Sequence, residues 1–293
     1  MAKRHLLLPL RCESVAMSGV DFISSFFSDK REVRLSLMNI VHCSPETWDR
    51  GYGRGGNLGS LDLSAERKGR ECLHEIHARL EREGFLPEHI SRKVLPTSEA
   101  KAQVIVREGS KGLYDAVVLG HRALVSLECL FEGSVCGELF ESLAERIGFP
   151  FWVCRRLHHH RKNVLLCADG SEPSLRIADH VGFMLAAEPA HDVTILHIKD
   201  ASKERRFTED EVMERTVAAV TGAGLDEGRI RRVVKGSGPV AKSILQEVQE
   251  GGYAVVAVGS AGAGHGFFKK MFVGSVARTL FSDLTGSVLW VCY

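Results

Sequence analysis

The feature that most limits how this 293-residue chain can fold is that much of it is written twice. YDAVVLG (114–120) returns as YAVVAVG (253–259), GSVCGELFESL (133–143) as GSVARTLFSDL (274–284), and FWVC (151–154) as LWVC (289–292). The three pairs keep their order at a nearly constant separation, and the starts align too, HLLLPLRCES (5–14) with NVLLCADGSE (163–172). Self-similarity over such a span implies two copies of one domain, and a copy of about 140 residues is large enough to bury its own core. The expected organisation is a first domain over 1–156, a linker over 157–162 and a second domain over 163–293.

Within each copy short apolar, β-rich runs alternate with helix-period segments. In the second copy the runs fall at 163–168, 193–198, 230–234, 254–258 and 287–292, with helical segments near 172–187, 208–222, 239–250 and 275–284. Val276, Ala277, Leu280, Phe281 and Leu284 share one face of the last helix. Five strands separated by helices predict an α/β domain, a parallel sheet covered on both sides. The first copy predicts the same plan, with strands near 5–10, 33–41, 91–95, 115–119 and 150–154. It departs at DRGYGRGGNLGSLD (49–62), read as a surface loop ahead of a helix reaching about 84. RRLHHHRKN (155–163) reads as a solvated linker, because three adjacent histidines do not converge on one metal ion without distant ligands.

Charge excludes some partners. With 38 Lys+Arg against 37 Asp+Glu there is no global field to attract nucleic acid or a membrane surface, so any anion site must be local. The eight cysteines form no CxxC pair and mostly sit in apolar runs, which predicts buried thiols in a reducing cytoplasm rather than a disulfide framework. Pro9 and Arg11 interrupt the leucines of the N-terminus too early for a signal peptide, and no stretch approaches a membrane span.

Two stretches of the second copy carry chemistry. GSAGAGHGFFKKMFVGS (259–275) places Gly259, Gly262, Gly264 and Gly274 between a strand end and the helix that begins at Ser275. In an open parallel sheet ligands sit beyond the carboxyl ends of the strands. Bare backbone allows close approach there, and the first amides of a helix offer unpaired N–H groups to an anion. Lys269 and Lys270 would add positive charge. The stretch is neither a P-loop nor the dinucleotide fingerprint, and a plain βα connection with Ser275 as helix cap is the alternative. VLLCADGSEPS (164–174) puts Asp169 at the end of the first strand. A carboxylate there would repel phosphate and suit a ribose hydroxyl or base amine; an Asx turn or helix cap is the competing reading.

Asp169-Gly-Ser after strand one, VTILHI as strand two, VVKGSGPVAKSIL around strand three, and a strand-four Gly followed by Gly-x9-Gly-Ser make the second half resemble a universal stress protein domain, and the duplication makes the chain similar to a tandem member of that family. The resemblance implies Rossmann-like domains, each a five-stranded sheet of order 3-2-1-4-5. It also implies a site that holds ATP, or AMP or ADP, with Mg as an accompanying ion. By resemblance Ala168 and Asp169 meet the base and ribose, Ile198 lines the adenine pocket, and Gly259, Gly262 or Gly264, Gly274, Ser275 and Val276 hold ribose and phosphates. His197, at the family's LHV position, is expected to be packed or bonded to backbone rather than catalytic. The family pattern Gly-x2-Gly-x9-Gly-Ser/Thr fits incompletely: Gly259 and Gly262 keep the first spacing, yet the loop to Gly274 is two residues too long.

The first copy has lost the pattern. Its loop reads Gly120-x2-Ala123-x9-Gly133-Ser134, with Glu128 and Glu132 where the other copy has lysines, and Arg11 aligns with Asp169. Carboxylates oppose phosphate, so the first domain is expected to be a partner domain with a degenerate site. The last strands are apolar edge strands that invite pairing; the resemblance implies that they pair as across a dimer interface, which a tandem chain satisfies internally as a pseudo-dimer, with a homodimer of chains as a further assembly. The expected function is a cytoplasmic stress-response regulator that holds an adenine nucleotide and passes its occupancy to a regulatory protein. It is not expected to be an enzyme: no catalytic constellation is assembled in the sequence, which leaves at most weak ATPase activity or autophosphorylation. The alternatives are a nucleotide-free interaction scaffold and an adenylating enzyme, the latter lacking an HxGH signature.

Overall fold

The structure is a computed structural model, and it describes residues 4–12, 17–42, 60–120, 148–155, 158, 160–199, 207–236, 238–260 and 275–293. The chain divides into two compact bodies, one of Met1–Ser24 and Asp29–Phe149, the other of Ser25–Ser28 and Pro150–Tyr293.

The first body contains β1 (Arg4–Leu10), α1 (Ser18–Phe26, its last two residues counted with the second body), β2 (Val33–His42), α2 (Ser60–Arg82), β3 (Ile90–Thr97), α3 (Lys101–Gly109) and β4 (Ala116–Gly120). Its strands run parallel in the order β3-β2-β1-β4. β1 is apolar at almost every position and its Leu6, Leu7 and Leu8 are fully buried, as a central strand covered on both faces requires. The last turns of α2 dock through Leu73, Ile76 and Leu80, one residue per turn along a single face.

The second body holds β5 (Phe151–Cys154), β6 (Val164–Cys167), α4 (Glu172–Leu185), β7 (Val193–Ile198), α5 (Glu209–Gly222), β8 (Ile230–Lys235), α6 (Val240–Gly251), β9 (Val255–Gly259), α7 (Ser275–Asp283) and β10 (Val288–Cys292). Five strands are parallel in the order β8-β7-β6-β9-β10, and β5 runs antiparallel beside β10. Helix starts follow local chemistry. Ser171 caps α4 by accepting from Ser174 N, and Thr208 with Glu211 forms a reciprocal capping box on α5. The centre of this body is aromatic: Trp152 and Trp290 stack with ring centroids 4.2 Å apart. Trp152 Nε1 donates to His180 Nε2 at 3.0 Å, and burial pushes that imidazole down to about 3, so it stays a neutral acceptor. Ser25–Ser28 belong here because Phe26 stacks on His191 and Ser28 N donates to the buried Glu188 carboxylate at 2.7 Å.

The duplication survives as matching polar clusters. In the first body Tyr114 hydroxyl donates to Glu108 of α3 at 2.9 Å, with Lys93 and Lys111 on the same carboxylate. In the second, Tyr253 hydroxyl donates to Glu247 of α6 at 2.9 Å, with Lys235 and Arg231 around it. Each is a buried carboxylate at the end of the helix before the fourth strand, satisfied by a tyrosine six residues on.

The α/β class and the second body's strand order agree with expectation. The described strands of the first body keep the expected order as β3-β2-β1-β4, and β5, the last strand of the first copy, is grouped with the second body and opposes β10. Two particulars differ. The cysteines are not all thiols: Cys12 and Cys72 form a disulfide, their Cα atoms 5.8 Å apart, while Cys154, Cys167 and Cys292 are thiols. The spacing carried no sign of this bond, since 60 residues separate the partners and α2 brings them together only in the fold. The junction is not purely solvated either. Arg155 donates to Ser282 O and lies over Phe281, and Arg161 donates to Ser287 Oγ. No described helix is long and apolar enough to cross a membrane.

Candidate ligand site at the β6 and β9 edge

Strand order positions the candidate site. β6 is flanked by β7 on one side and β9 on the other, so the chain reverses its winding direction between β6 and β9. The crevice at such a reversal is where open α/β sheets bind ligands. Register then decides which residues meet there. Leu166 pairs with Ala257 and Cys167 with Leu196; counting on two residues in each strand brings Ala168 level with Gly259 and Asp169 level with Ile198. Ala168 and Ile198 are buried and Asp169 is exposed, so the edge offers an apolar floor with one carboxylate above it.

The loop after β6 is tightly built. Asp169 Oδ1 accepts from Ser171 N at 3.0 Å and from Ser171 Oγ at 2.6 Å, an Asx turn leading into α4. Ser174 Oγ accepts from Asp169 N at 3.2 Å. Gly170 sits at φ 78°, a left-handed conformation that a side chain would strain. Phe207 and Val212 close in over it, and Arg215 lies 4.1 Å from the Phe207 ring while donating to Gly170 O. Phe207 and Arg215 thus buttress the Asp169 loop. Neither was visible in the sequence, because an arginine on a polar helix face carries no mark of what it touches.

Gly259 has a packing task of its own: a Cβ there would stand 2.8 Å from the backbone of Pro173 and Ser174. The strand end and the start of α4 approach so closely that only glycine fits. His197 is bonded to backbone as expected, its Nδ1 2.8 Å from Ala168 O, which fixes the end of β7 against the end of β6. α7 begins at Ser275 with Val276 half-buried after it. Gly262, Gly264 and Gly274, with Lys269 and Lys270, lie outside the described residues, as do Ala123, Glu128, Glu132, Gly133 and Ser134 of the first copy. At the corresponding end of β1, Arg11 is half-buried and Gly120 ends β4.

The fit to an adenine nucleoside can be tested on these residues. Buried Ala168 and Ile198 suit a planar base, and an exposed carboxylate suits ribose hydroxyls. Among the described residues no group of three histidines, cysteines or carboxylates could hold a metal ion.

Residues 160–291 match the model of the universal stress protein family. No curated protein matches the sequence. In structure the chain is similar to a universal stress protein from Archaeoglobus fulgidus DSM 4304, at 19% identity over 99% of this chain and 96% of that one, TM-score 0.62. It is also similar to a functionally unknown protein from Pseudomonas aeruginosa PAO1, at 13% identity over 99% and 92%, TM-score 0.56. At such low identities the likeness speaks for the Rossmann-like fold alone.

Proposed function

We propose that the second half of this chain, where residues 160–291 match the universal stress protein family model, binds an adenine nucleotide, ATP or AMP/ADP, at the β6 and β9 edge and acts as a regulatory binding protein rather than an enzyme. The observation that carries the reading is the convergence of Ala168, Asp169, Ile198 and Gly259 on one strand-end crevice. In this reading Ala168 and Ile198 flank the base, and the Asp169 carboxylate accepts from ribose. Amides of Gly262 or Gly264, Gly274, Ser275 and Val276 hold the phosphates, with Mg as the counter-ion of a triphosphate. The first domain, with Arg11 at the aligned position, serves as a partner domain, and the chain works in the cytoplasm.

A nucleotide-free scaffold has one specific observation in its favour. Asp169 and Gly259, the two best-placed residues, each have a structural task already, in the Asx turn and in the contact with Pro173 and Ser174. Native mass spectrometry of the purified chain separates the readings. A mass increment equal to an adenine nucleotide, lost in Asp169→Ala, supports the site; an apo mass, with no thermal shift in millimolar Mg-ATP, supports the scaffold.

A further inference from the structure

The Cys12–Cys72 bond occupies a particular place. Cys12 lies two residues beyond β1, at the carboxyl edge where the second copy has its Asp169 loop, and Cys72 lies on α2. Their separation suits the bond without backbone movement. Both residues are half-buried rather than sunk in the core, so a small thiol can reach them. The free cysteines differ: burial pushes the thiols of Cys167 and Cys292 up, which keeps them protonated and unreactive.

The bond also sits where α2 changes character. Beyond it, Leu73, Ile76 and Leu80 are buried against the sheet. Before it, Leu63, Ser64, Ala65, Arg67 and Lys68 are exposed, and among the described positions 63–70 Gly69 is the buried one. Gly69 packs so closely on β2 that a Cβ would stand 2.6 Å from Asn39 Oδ1, while Asn39 Nδ2 donates to Leu10 O at 2.9 Å. The disulfide therefore clasps the most N-terminal described turn of α2 that packs on the sheet to the end of β1.

We propose that Cys12–Cys72 is a thiol-exchange site, through which a low-molecular-weight thiol such as glutathione controls the attachment of the first turns of α2 to the carboxyl end of β1. One thiolate attacks a sulfur of the pair, forming a mixed disulfide and expelling the other cysteine as thiolate. A second small thiolate attacks the small-thiol sulfur of the mixed disulfide, expelling the remaining cysteine as thiolate and releasing the oxidised dimer. Two electrons pass to the protein, and two protons taken up from solvent give two cysteine thiols. With the clasp open, the turn keeps the close packing of Gly69 on Asn39 and Val94.

Peptide mapping and hydrogen exchange on the full chain test this. In oxidised protein, alkylated and cut with trypsin, the peptide 12–30 is expected joined to 71–79. Incubation of folded protein with excess reduced glutathione releases the two. Amide exchange over 63–72 then rises at least about tenfold while 73–80 stays protected. Cys72→Ser in oxidising buffer reproduces the reduced pattern, and reduction of the wild type gives the same readout independently of whether that variant folds. The proposal is overturned if no bridged peptide exists in oxidised protein, if the bridge resists glutathione until the chain unfolds, or if exchange over 63–72 is the same in both states. Nucleotide affinity is no part of the readout, so the test stands apart from the proposed function.

Discussion

Replacing Glu247 with glutamine tests whether the buried carboxylates are charged anchors or bystanders. Burial alone would raise the carboxyl pKa of Glu247, but hydrogen bonds from Lys235 and Tyr253 outweigh it and hold the group below the ordinary range. Glutamine keeps an acceptor for Tyr253 and loses the charge that Lys235 and Arg231 face at 2.7 and 3.5 Å. A hydrogen bond to a charged group contributes about 1.5–3 kcal/mol. Arg231 is well exposed and Lys235 partly so, which screens their share, so the expected cost is about 1.5 kcal/mol for Glu247→Gln. Glu247→Ala, which also removes the acceptor of the Tyr253 hydroxyl, is expected to cost about 3 kcal/mol. The sign with pH follows from the lowered folded pKa: the stabilisation is complete above the unfolded carboxylate value and is lost as pH falls through the folded one. Glu108 is lowered against its burial by Lys111, Tyr114 and Lys93 and should behave alike. Urea unfolding at pH 7 and at successively lower pH measures both. A loss under about 0.5 kcal/mol in either Gln variant, or a Gln variant that keeps the wild-type acid slope, would refute the reasoning.

Removing the disulfide with Cys72→Ser frees a loop of 60 residues, which in the chain-entropy model costs about 4 kcal/mol, read as a lower urea midpoint for the first body. Gly182→Val drives a side chain into Val220 O and Ala223, where even a Cβ lies at 2.8 Å from the Ala223 methyl; the forced separation of α4 and α5 is expected to cost at least about 3 kcal/mol by thermal melting. Asp169→Ala should weaken adenosine and ATP alike by about tenfold or more, and unchanged affinity by calorimetry would remove the carboxylate from the site.

What the sequence made legible was periodic or repeated. The end of β9 at Gly259 and the start of α7 at Ser275 were readable because apolar runs, glycines and caps are local signals. A resemblance grouped Ala168, Asp169, Ile198 and Gly259 in one expected site; the strand register, which no sequence signal gave, sets Ala168 level with Gly259 and Asp169 level with Ile198. Other features were not legible because they join distant parts of the chain. Cys12 meets Cys72 only after α2 lies across the sheet, and Arg215 meets Gly170 only after α5 packs beside α4. Gly259 shows a further limit: from sequence it read as room for a ligand, while the fold shows room for Pro173 and Ser174.

In the proposed function the second domain grips the phosphates of an adenine nucleotide at the mouth of α7. Titration calorimetry of the wild type and of Gly274→Val with ATP and with adenosine checks this grip. Both ligands are expected to bind the wild type, and in the variant ATP is expected to lose at least about tenfold with adenosine little changed. No heat with either ligand, or equal losses for the two, would rule the phosphate grip out.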